Sequence, residues 1–137
     1  MKFFISGQID EAPTIETMIQ TVRASGHDIT HDWTITDTFL GGSEQKLHDR
    51  IETGRRAKAD IQAVIDSDIY VVSTDNTKIG KGMCVELGAA IALYETTGKP
   101  KVYVVGKMNH LTIFYLHPSV KSLNTIDDVI ADIVTIA

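Results

Sequence analysis

The stretch that decides the fold is 78-KIGKGMCVELGAAIA-92, a loop broken by glycines that runs into an amphipathic helix. Directly before it, the apolar run Asp68–Ser73 is typical of a buried parallel strand. A strand, a glycine loop and a helix in this order place the start of the helix at the carboxyl edge of a sheet, where open α/β sheets bind ligands. Glu86 belongs to the first turns of that helix and is therefore the first candidate for chemistry.

The rest of the chain repeats this alternation of strand and helix. The predicted strands are Lys2–Ser6, Asp28–Asp32, Ile69–Ser73, Lys101–Val105 and, at an edge, Val120–Leu123. The predicted helices begin near Pro13, at Ser43 after a loop from Thr34 to Gly42, near Gly82 and after Thr125; Leu111–Leu116 fits either a short helix or a strand. We therefore expect a single domain over residues 1–137. Its fold class is flavodoxin-like or Rossmann-like α/β, a doubly wound, mainly parallel five-stranded sheet with helices on both faces.

Composition narrows the class of protein. The 137 residues are 43% hydrophobic and 23% charged, as in an ordinary globular domain, and a net charge of −5 offers no basic surface to a nucleic-acid polymer. No apolar run is long enough to span a membrane, and the single cysteine, Cys84, fits a reducing cytoplasm. The histidines and Cys84 lack the spacing of metal ligands, and there is no G-x-G-x-x-G or Walker motif. Neither a metal nor another cofactor is therefore expected.

Two carboxylates are candidates for catalysis. Glu86 has small neighbours and lies near a helix start, where the helix dipole and nearby amides would hold it ionised as a nucleophile. A glutamate in a first turn also simply stabilises a helix, so that interpretation stays open. Asp60, near the end of the helix that begins at Ser43, would reach the same pocket from another side. A solvated helix carboxylate is the more ordinary interpretation for Asp60.

The ends of the first two strands supply further candidates. Gly7, between Ser6 and Gln8, would let a ligand approach the backbone closely. Trp33 follows Asp32 at the end of the second strand and would stack on a base, with core packing as the alternative. Each of these signals is weak when taken alone.

Together the elements resemble the nucleoside 2-deoxyribosyltransferase-like superfamily, which includes the deoxyribosyltransferases and the 2'-deoxynucleoside 5'-phosphate N-hydrolases. The resemblance covers most of the chain. It rests on a first strand ending Phe4-Ile5-Ser6-Gly7, on Asp60 and the segment through Asp68, and above all on Gly82-x-x-x-Glu86-Leu87-Gly88-x-Ala90 followed by Gly98-Lys99-Pro100.

The resemblance implies an enzyme with a flavodoxin-like fold that cleaves the N-glycosidic bond between a base and deoxyribose. It implies that Glu86 attacks C1' and forms a glycosyl-enzyme ester, and that Asp60 orients the nucleophile or assists proton transfer to the base. Water as the acceptor gives hydrolysis, and a second base gives transfer. The substrates implied are nucleosides or their 5'-monophosphates, with no cofactor.

The resemblance also implies which residues contact the substrate and that subunits share sites. Members build each pocket with help from a neighbouring subunit, so we expect a homo-oligomer, a dimer or larger, with Asn109 or Tyr115 near a partner's site. The implied substrate-binding residues are Phe4, Ser6, Gly7, Gln8, Ile9, Asp32, Trp33, Gly80, Gly82, Met83, Asn109 and Tyr115.

Three positions depart from the patterns of the superfamily. Phe4 stands where members often have a tyrosine, so the hydroxyl of that position is lost. Gly80 stands where the transferases have an acidic residue and the phosphohydrolases have a serine. Asp10 stands where the phosphohydrolases have an arginine. Lys78 and Lys81 are the alternative candidates to bind a phosphate. Three hypotheses follow: an enzyme of deoxynucleosides or their monophosphates, a glycosidase of another ribosyl compound such as a dinucleotide, and a catalytically silent nucleotide sensor.

Overall fold

The computed structural model describes residues 1–35 and 43–136. Within these residues, parallel pairing joins five strands into one sheet in the spatial order β2-β1-β3-β4-β5. The strands are β1 (Lys2–Ser6), β2 (Asp28–Ile29), β3 (Ile69–Ser73), β4 (Lys101–Val105) and β5 (Val120–Leu123). This strand order is that of flavodoxin-like folds, so the predicted fold class is confirmed.

Helices cover both faces of the sheet, as predicted. They are α1 (Ala12–Ala24), α2 (Ser43–His48), α3 (Arg50–Asp66), α4 (Lys81–Thr97) and α5 (Ile126–Ile136), with short 3-10 helices at Ile9–Glu11 and Ile113–Leu116. The second 3-10 helix resolves the choice that the sequence left open for this segment. None of the helices in the described ranges is both long enough and apolar enough to cross a membrane.

Strand alternation divides the core into two layers. Successive side chains of a strand point to opposite faces of a sheet. On β1, Phe3 and Ile5 therefore pack with α1 and α5, whereas Phe4 packs with α3 and α4. Ser6 continues the row of Phe4 and reaches the carboxyl edge of the sheet on the side of α3 and α4. The alternation thus places a hydroxyl at that edge.

Two predictions of element boundaries were wrong. The helix predicted from Ser43 is two helices, because Asp49 interrupts it and its side chain accepts a hydrogen bond from the backbone N–H of Glu52 at 3.4 Å. An aspartate that bonds the backbone locally competes with helix continuation and begins a new helix instead. Strand β2 ends at Ile29 rather than at Asp32. The predicted loop from Thr34 to Gly42 lies mostly outside the described residues.

Candidate active site

A cavity of about 980 Å³ opens at the carboxyl edge of the sheet, where open α/β folds place their ligand sites. The turn after β1, the segment after β2, helices α2 and α3, and the tip of α4 enclose it. The lining residues are Gly7, Gln8, Ile9, His31, Trp33, Lys46, Glu52, Arg55, Arg56, Ala59, Asp60, Ile79, Gly80, Lys81, Gly82, Met83 and Glu86. Both predicted catalytic carboxylates therefore face one cavity.

Glu86 lies in the second turn of α4, which starts directly after Gly80. The hydroxyl of Ser6, at the end of β1, donates a 2.7 Å hydrogen bond to Oε1 of Glu86. Residues 6 and 86 are far apart in sequence, and the parallel pairing of β1 with β3 brings them together. A buried Ser6 thus fixes one carboxylate oxygen, and the side chain of Glu86 still lines the cavity.

The electrostatics of Glu86 differ from the expectation that the helix dipole holds it ionised. Burial raises the pKa of Glu86 to about 7, and the nearby charge of Asp60 adds to the rise, although the hydrogen bond from Ser6 opposes it. Removing a carboxylate from water disfavours its charged form more than one hydroxyl donor and a helix start favour it. At neutral pH, Glu86 is therefore divided between its acid and its carboxylate.

Asp60 approaches the cavity from α3. Its side chain is 39% exposed, and Oδ1 lies 3.7 Å from Nε2 of His31, which follows β2. Burial raises the pKa of Asp60, while the charges of His31 and Arg56 lower it. Two carboxyls with raised pKa in one cleft are typical of functional sites, because structural carboxylates are usually stabilised in their charged form.

Most of the predicted substrate-binding residues line this cavity. They are Gly7, Gln8, Ile9, Trp33, Gly80, Gly82 and Met83. The indole N–H of Trp33 donates to the backbone oxygen of Ile5 at 2.8 Å, which holds the ring at the cavity wall. The bare backbone of Gly80 lies against Gln8, where a Cβ atom would come 3.5 Å from that residue.

Five predicted residues do not line the cavity, each for a physical reason. Phe4 is fully buried in the core, and Ser6 is turned toward Glu86. Asp32 is occupied: Oδ1 accepts from the backbone N–H and the hydroxyl of Thr34, and Oδ2 lies 3.7 Å from Arg23. The remaining two, Asn109 and Tyr115, belong to the segment between β4 and β5.

Asn109 and Tyr115 are held by contacts within their own chain. The side-chain amide of Asn109 donates to the backbone oxygen of Asp75 at 2.7 Å, and the hydroxyl of Tyr115 lies 2.7 Å from Nε2 of His110. Tyr115 is only 1% exposed, so its ring belongs to the core. Their contribution to the site of a neighbouring subunit stays a prediction.

The sequence interpretation missed a cationic part of the lining. The unpredicted cations are Lys46, Arg55 and Arg56, which line the cavity. Of the two lysines named from the sequence as candidates to hold a phosphate, Lys81 lines the cavity and Lys78 does not. A signal was available, because Arg56 precedes Asp60 by four residues and thus shares its helix face. That spacing becomes informative only once Asp60 is known to face the cavity.

Tyr70 was also missed. It pairs with Phe4 across β1 and β3, its hydroxyl lies 3.4 Å from the backbone oxygen of Met83, and the two rings are 6.1 Å apart. Burial raises the pKa of Tyr70 well above its usual value, as does the charge of Glu86, while a hydrogen bond with Ser6 opposes the rise. A tyrosine hydroxyl therefore stands beside Ser6 and Glu86, supplied by the strand next to the one that carries Phe4.

Solved structures share this fold over nearly the whole chain. A CMP N-glycosidase from Clostridium botulinum, BcmB, superposes with a TM-score of 0.61 at 16% identity, over 97% of this chain and 98% of that one. This likeness confirms the predicted fold. A conserved protein from Enterococcus faecalis V583 superposes with a TM-score of 0.61 at 14% identity, over 100% of this chain and 99% of that one. By sequence alone, no family profile and no curated protein matches.

Proposed function

We propose that this chain cleaves the N-glycosidic bond of nucleosides, deoxynucleosides or their 5'-monophosphates, with Glu86 as the nucleophile. The observation that carries the proposal is a partly buried carboxylate, Glu86, held at one oxygen by Ser6, facing a cavity that a second carboxyl, Asp60, shares. Cleavage at an anomeric carbon needs a nucleophilic carboxylate and a second group that manages protons. The similarity to a CMP N-glycosidase supports the same chemistry.

The proposed reaction has two displacements. The ionised Oε2 of Glu86 attacks C1', and the N-glycosidic bond breaks as the glycosyl ester forms. The bond electrons leave with the base, which receives a proton from Asp60 in its acid form or from water. An acceptor then attacks C1', the ester bond electrons return to Glu86, and the proton of the acceptor passes to the Asp60 carboxylate or to water. Water as the acceptor gives the free sugar, and the nitrogen of a second base gives a new nucleoside. Trp33 lines the cavity where it would stack on the base.

The raised pKa values suit these two roles. Glu86 must be ionised to attack, and a pKa of about 7 leaves about half of it ionised at neutral pH. Removal from water makes that carboxylate more reactive than a solvated one, because no hydration shell has to be stripped from it. Burial raises the pKa of Asp60, which increases the fraction able to give a proton.

We also propose that copies of this chain associate. Large apolar side chains are exposed on and next to the 3-10 helix Ile113–Leu116. The exposed fractions are 57% for Leu111, 76% for Ile113, 53% for Phe114 and 65% for Leu116. An apolar group of this size on one short segment is typical of a protein interface. A second copy seated there would adjoin Asn109 and complete a shared site, and the location proposed for the assembly is the cytoplasm.

The experiment that tests the reaction measures base release from a panel of ribo- and deoxynucleosides, with and without the 5'-phosphate and with and without a second free base. Trapped enzyme is examined by mass spectrometry for one added sugar on the peptide that contains Glu86. We expect release and an adduct on that peptide. A second base that appears in a new nucleoside assigns transfer, and free sugar assigns hydrolysis.

The silent sensor gives a different result in the same panel. It would bind a nucleotide without releasing any base, and Phe4, which lacks the hydroxyl implied by the resemblance, is the observation that favours it. Base release that continues unchanged in Glu86→Ala would remove the nucleophile assignment. Sedimentation of the chain and of Phe114→Asp tests the association, and a monomeric wild-type chain would contradict it.

A further inference from the structure

One end of the cavity is cationic in an otherwise acidic chain. Lys46, Arg55, Arg56 and Lys81 line the cavity, while the whole chain has a net charge of −5. These four cations outnumber the three carboxyls that line the same cavity, Glu52, Asp60 and Glu86, and so create a local field that attracts anions. Three of these cations belong to α2 and α3, whereas Lys81 is the first residue of α4.

The guanidinium group of Arg56 has one N–H donor, Nη1, without a hydrogen-bond acceptor among the described residues. Its Nε donates to Oε1 of Glu52 at 3.2 Å, and Nη1 of Arg55 donates to Oε2 of the same glutamate at 2.8 Å. Both oxygens of Glu52 are therefore engaged. Nη1 of Arg56 is buried and, in the part of the chain that the structure describes, bonds to nothing. A buried guanidinium nitrogen without an acceptor is costly, and an anionic ligand would satisfy it after a small shift of the side chain.

The cationic end adjoins the two carboxyls without overlapping them. Arg56 precedes Asp60 by four residues of α3, about 6 Å along the axis. The two charges sense one another, since Arg56 lowers the pKa of Asp60. A phosphate placed beside Glu86 and Asp60 would be repelled by both, whereas one placed a turn away would meet the arginines. A sugar with its C1' at Glu86 and an anionic group at its other end matches this order of charges.

We infer that Arg56, assisted by Arg55 and Lys46, binds the 5'-phosphate of a nucleoside monophosphate. The inference rests on the proposed function and deepens it, because it selects nucleotides over free nucleosides as the substrate class. The planar guanidinium group suits a phosphate dianion, which it contacts through two parallel hydrogen bonds. The subsite is built from α2 and from the part of α3 that precedes Asp60, and Lys81, at the tip of α4, lies outside it.

The first test is the ratio of kcat/KM for a 5'-monophosphate to that for its nucleoside, measured with the cytidine and adenosine pairs in deoxy and ribo form. We expect the wild-type ratio to be about tenfold or more, as one charge-assisted hydrogen bond would give. Arg56→Gln should bring the ratio close to one. Lys58→Gln removes a positive charge from the same helix outside the cavity and should keep the wild-type ratio.

Other variants locate the subsite. Arg55→Gln alters a side chain that is 71% exposed and leaves the packing intact, so it serves if Arg56→Gln is unstable; we expect a smaller fall in the ratio. If Lys81→Gln removes the preference and neither arginine variant does, the phosphate binds at the tip of α4 and the inference is overturned. A wild-type ratio of one would overturn it as well, with the proposed reaction intact.

A measurement without turnover separates this inference from the proposed function. Calorimetry with 2-deoxyribose 5-phosphate should give a dissociation constant about tenfold higher for Arg56→Gln than for wild type, and 2-deoxyribose should bind both weakly. That result would support the subsite even if no base were released from any substrate. Equal affinity of wild type and variant for the sugar phosphate would overturn it.

Orthophosphate tests whether the arginines bind the 5'-phosphate of the substrate or a free phosphate ion. Bound at the subsite, it should compete with monophosphates and not accelerate base release from nucleosides. Acceleration of nucleoside cleavage by orthophosphate, lost in Arg56→Gln, would mean that the arginines hold a free phosphate as the acceptor, and the 5'-phosphate assignment would then fail.

Discussion

Two carboxyls on opposite faces of the sheet accept a hydrogen bond from a hydroxyl group. On the face of α3 and α4, Ser6 donates to Glu86 at 2.7 Å; on the face of α1 and α5, Tyr103 donates to Asp132 at 2.8 Å. Yet burial raises the pKa of Glu86 to about 7, whereas hydrogen bonds from Lys121 and Tyr103 lower the pKa of Asp132. The shared hydroxyl therefore does not decide the charge.

The difference lies in the cation and the water around each group. Lys121 contacts Asp132 at 2.6 Å near the surface, while no ion pair involves Glu86 within residues 1–35 and 43–136. Asp132 is thus held in its charged form as part of the scaffold. Glu86 is kept out of water beside a cavity and titrates near neutral pH, where a group can both carry charge and change it.

The largest expected effect separates the two carboxyls by activity. Glu86→Gln removes the nucleophile and should lower base release by at least about 10³-fold. Asp132→Asn makes the same change on the other face and should keep the wild-type rate. Steady-state assays on both variants give the comparison, and similar losses in both would mean that the fold, and not the chemistry, had been damaged.

The next effect concerns Asp60. Asp60→Asn removes a proton source and a nearby charge, so we expect kcat to fall about 10²-fold. The acid limb of the pH–rate profile should also move to lower pH, because the charge of Asp60 raises the pKa of Glu86. Asp66→Asn, farther along α3 and outside the cavity lining, is the matched control. An unshifted acid limb in Asp60→Asn would argue against the coupling.

The pH dependence itself is a third test. Base release needs ionised Glu86, so kcat/KM should rise with pH up to a limit set by a pKa of about 7. Ser6→Ala removes the hydrogen bond that lowers this pKa, and should shift the acid limb to higher pH and lower the rate about tenfold. Ser67→Ala removes another buried hydroxyl, one that bonds Val64 at the end of α3, and should leave the profile in place.

A fourth test measures stability. The folded pKa of Glu86 lies above its unfolded value, so its contribution is fully present below about pH 4.5 and is lost as pH rises through about 7. Glu86→Gln removes this loss. The free energy of unfolding of the variant minus that of wild type should therefore be about 1–3 kcal/mol larger at pH 8 than at pH 5, so the variant gains stability relative to wild type as pH rises. Chemical denaturation at the two pH values measures this, and an equal difference at both would contradict the raised pKa.

The smallest effect belongs to the other face. Lys121→Gln removes an exposed cation, so the melting temperature should fall by no more than about 2 °C at pH 7. The pKa of Asp132 lies below its usual value, so the deficit should vanish as pH falls through that pKa, where the carboxyl is protonated. Thermal scans across pH measure the deficit, and base release should not change.

The fold was largely accessible from the sequence because its signals are local. These signals are apolar runs of strand length, apolar residues at helical spacing, and glycines such as Gly80 and Gly98 at helix ends. Each acts within a few residues, and together they predicted the strands and the doubly wound class. The break at Asp49 was missed because an aspartate within a helical pattern is compatible with either continuing or restarting a helix. Its side-chain hydrogen bond to Glu52, which decides between them, is visible only in the structure.

The site was predicted only in part. Glu86 and Asp60 were candidates from their positions along the chain and received their roles from the resemblance, and the structure brings them to one cavity. Phe4 and Asp32 do not line the cavity, because burial and competing partners, such as Arg23, depend on neighbours distant in sequence. Their contact with a substrate stays a prediction. Tyr70 was missed because of the same dependence on distant neighbours, since nothing near it in the sequence marks it as a neighbour of Glu86. The four-residue spacing of Arg56 and Asp60 was visible in the sequence, but it became informative only once Asp60 was known to face the cavity.

The sequence by itself determined which side chains stand at helix tips and strand ends, because backbone propensity and the periods of helix and strand are local properties. Only the tertiary structure decided the ionisation of those side chains. The parallel pairing of β1 with β3 sets Ser6 and Tyr70 against Glu86, and the packing of α3 beside α4 removes that carboxyl from water without supplying a cation within the described chain. Charge in a protein depends on what surrounds a group in space, and that is settled only when distant segments meet.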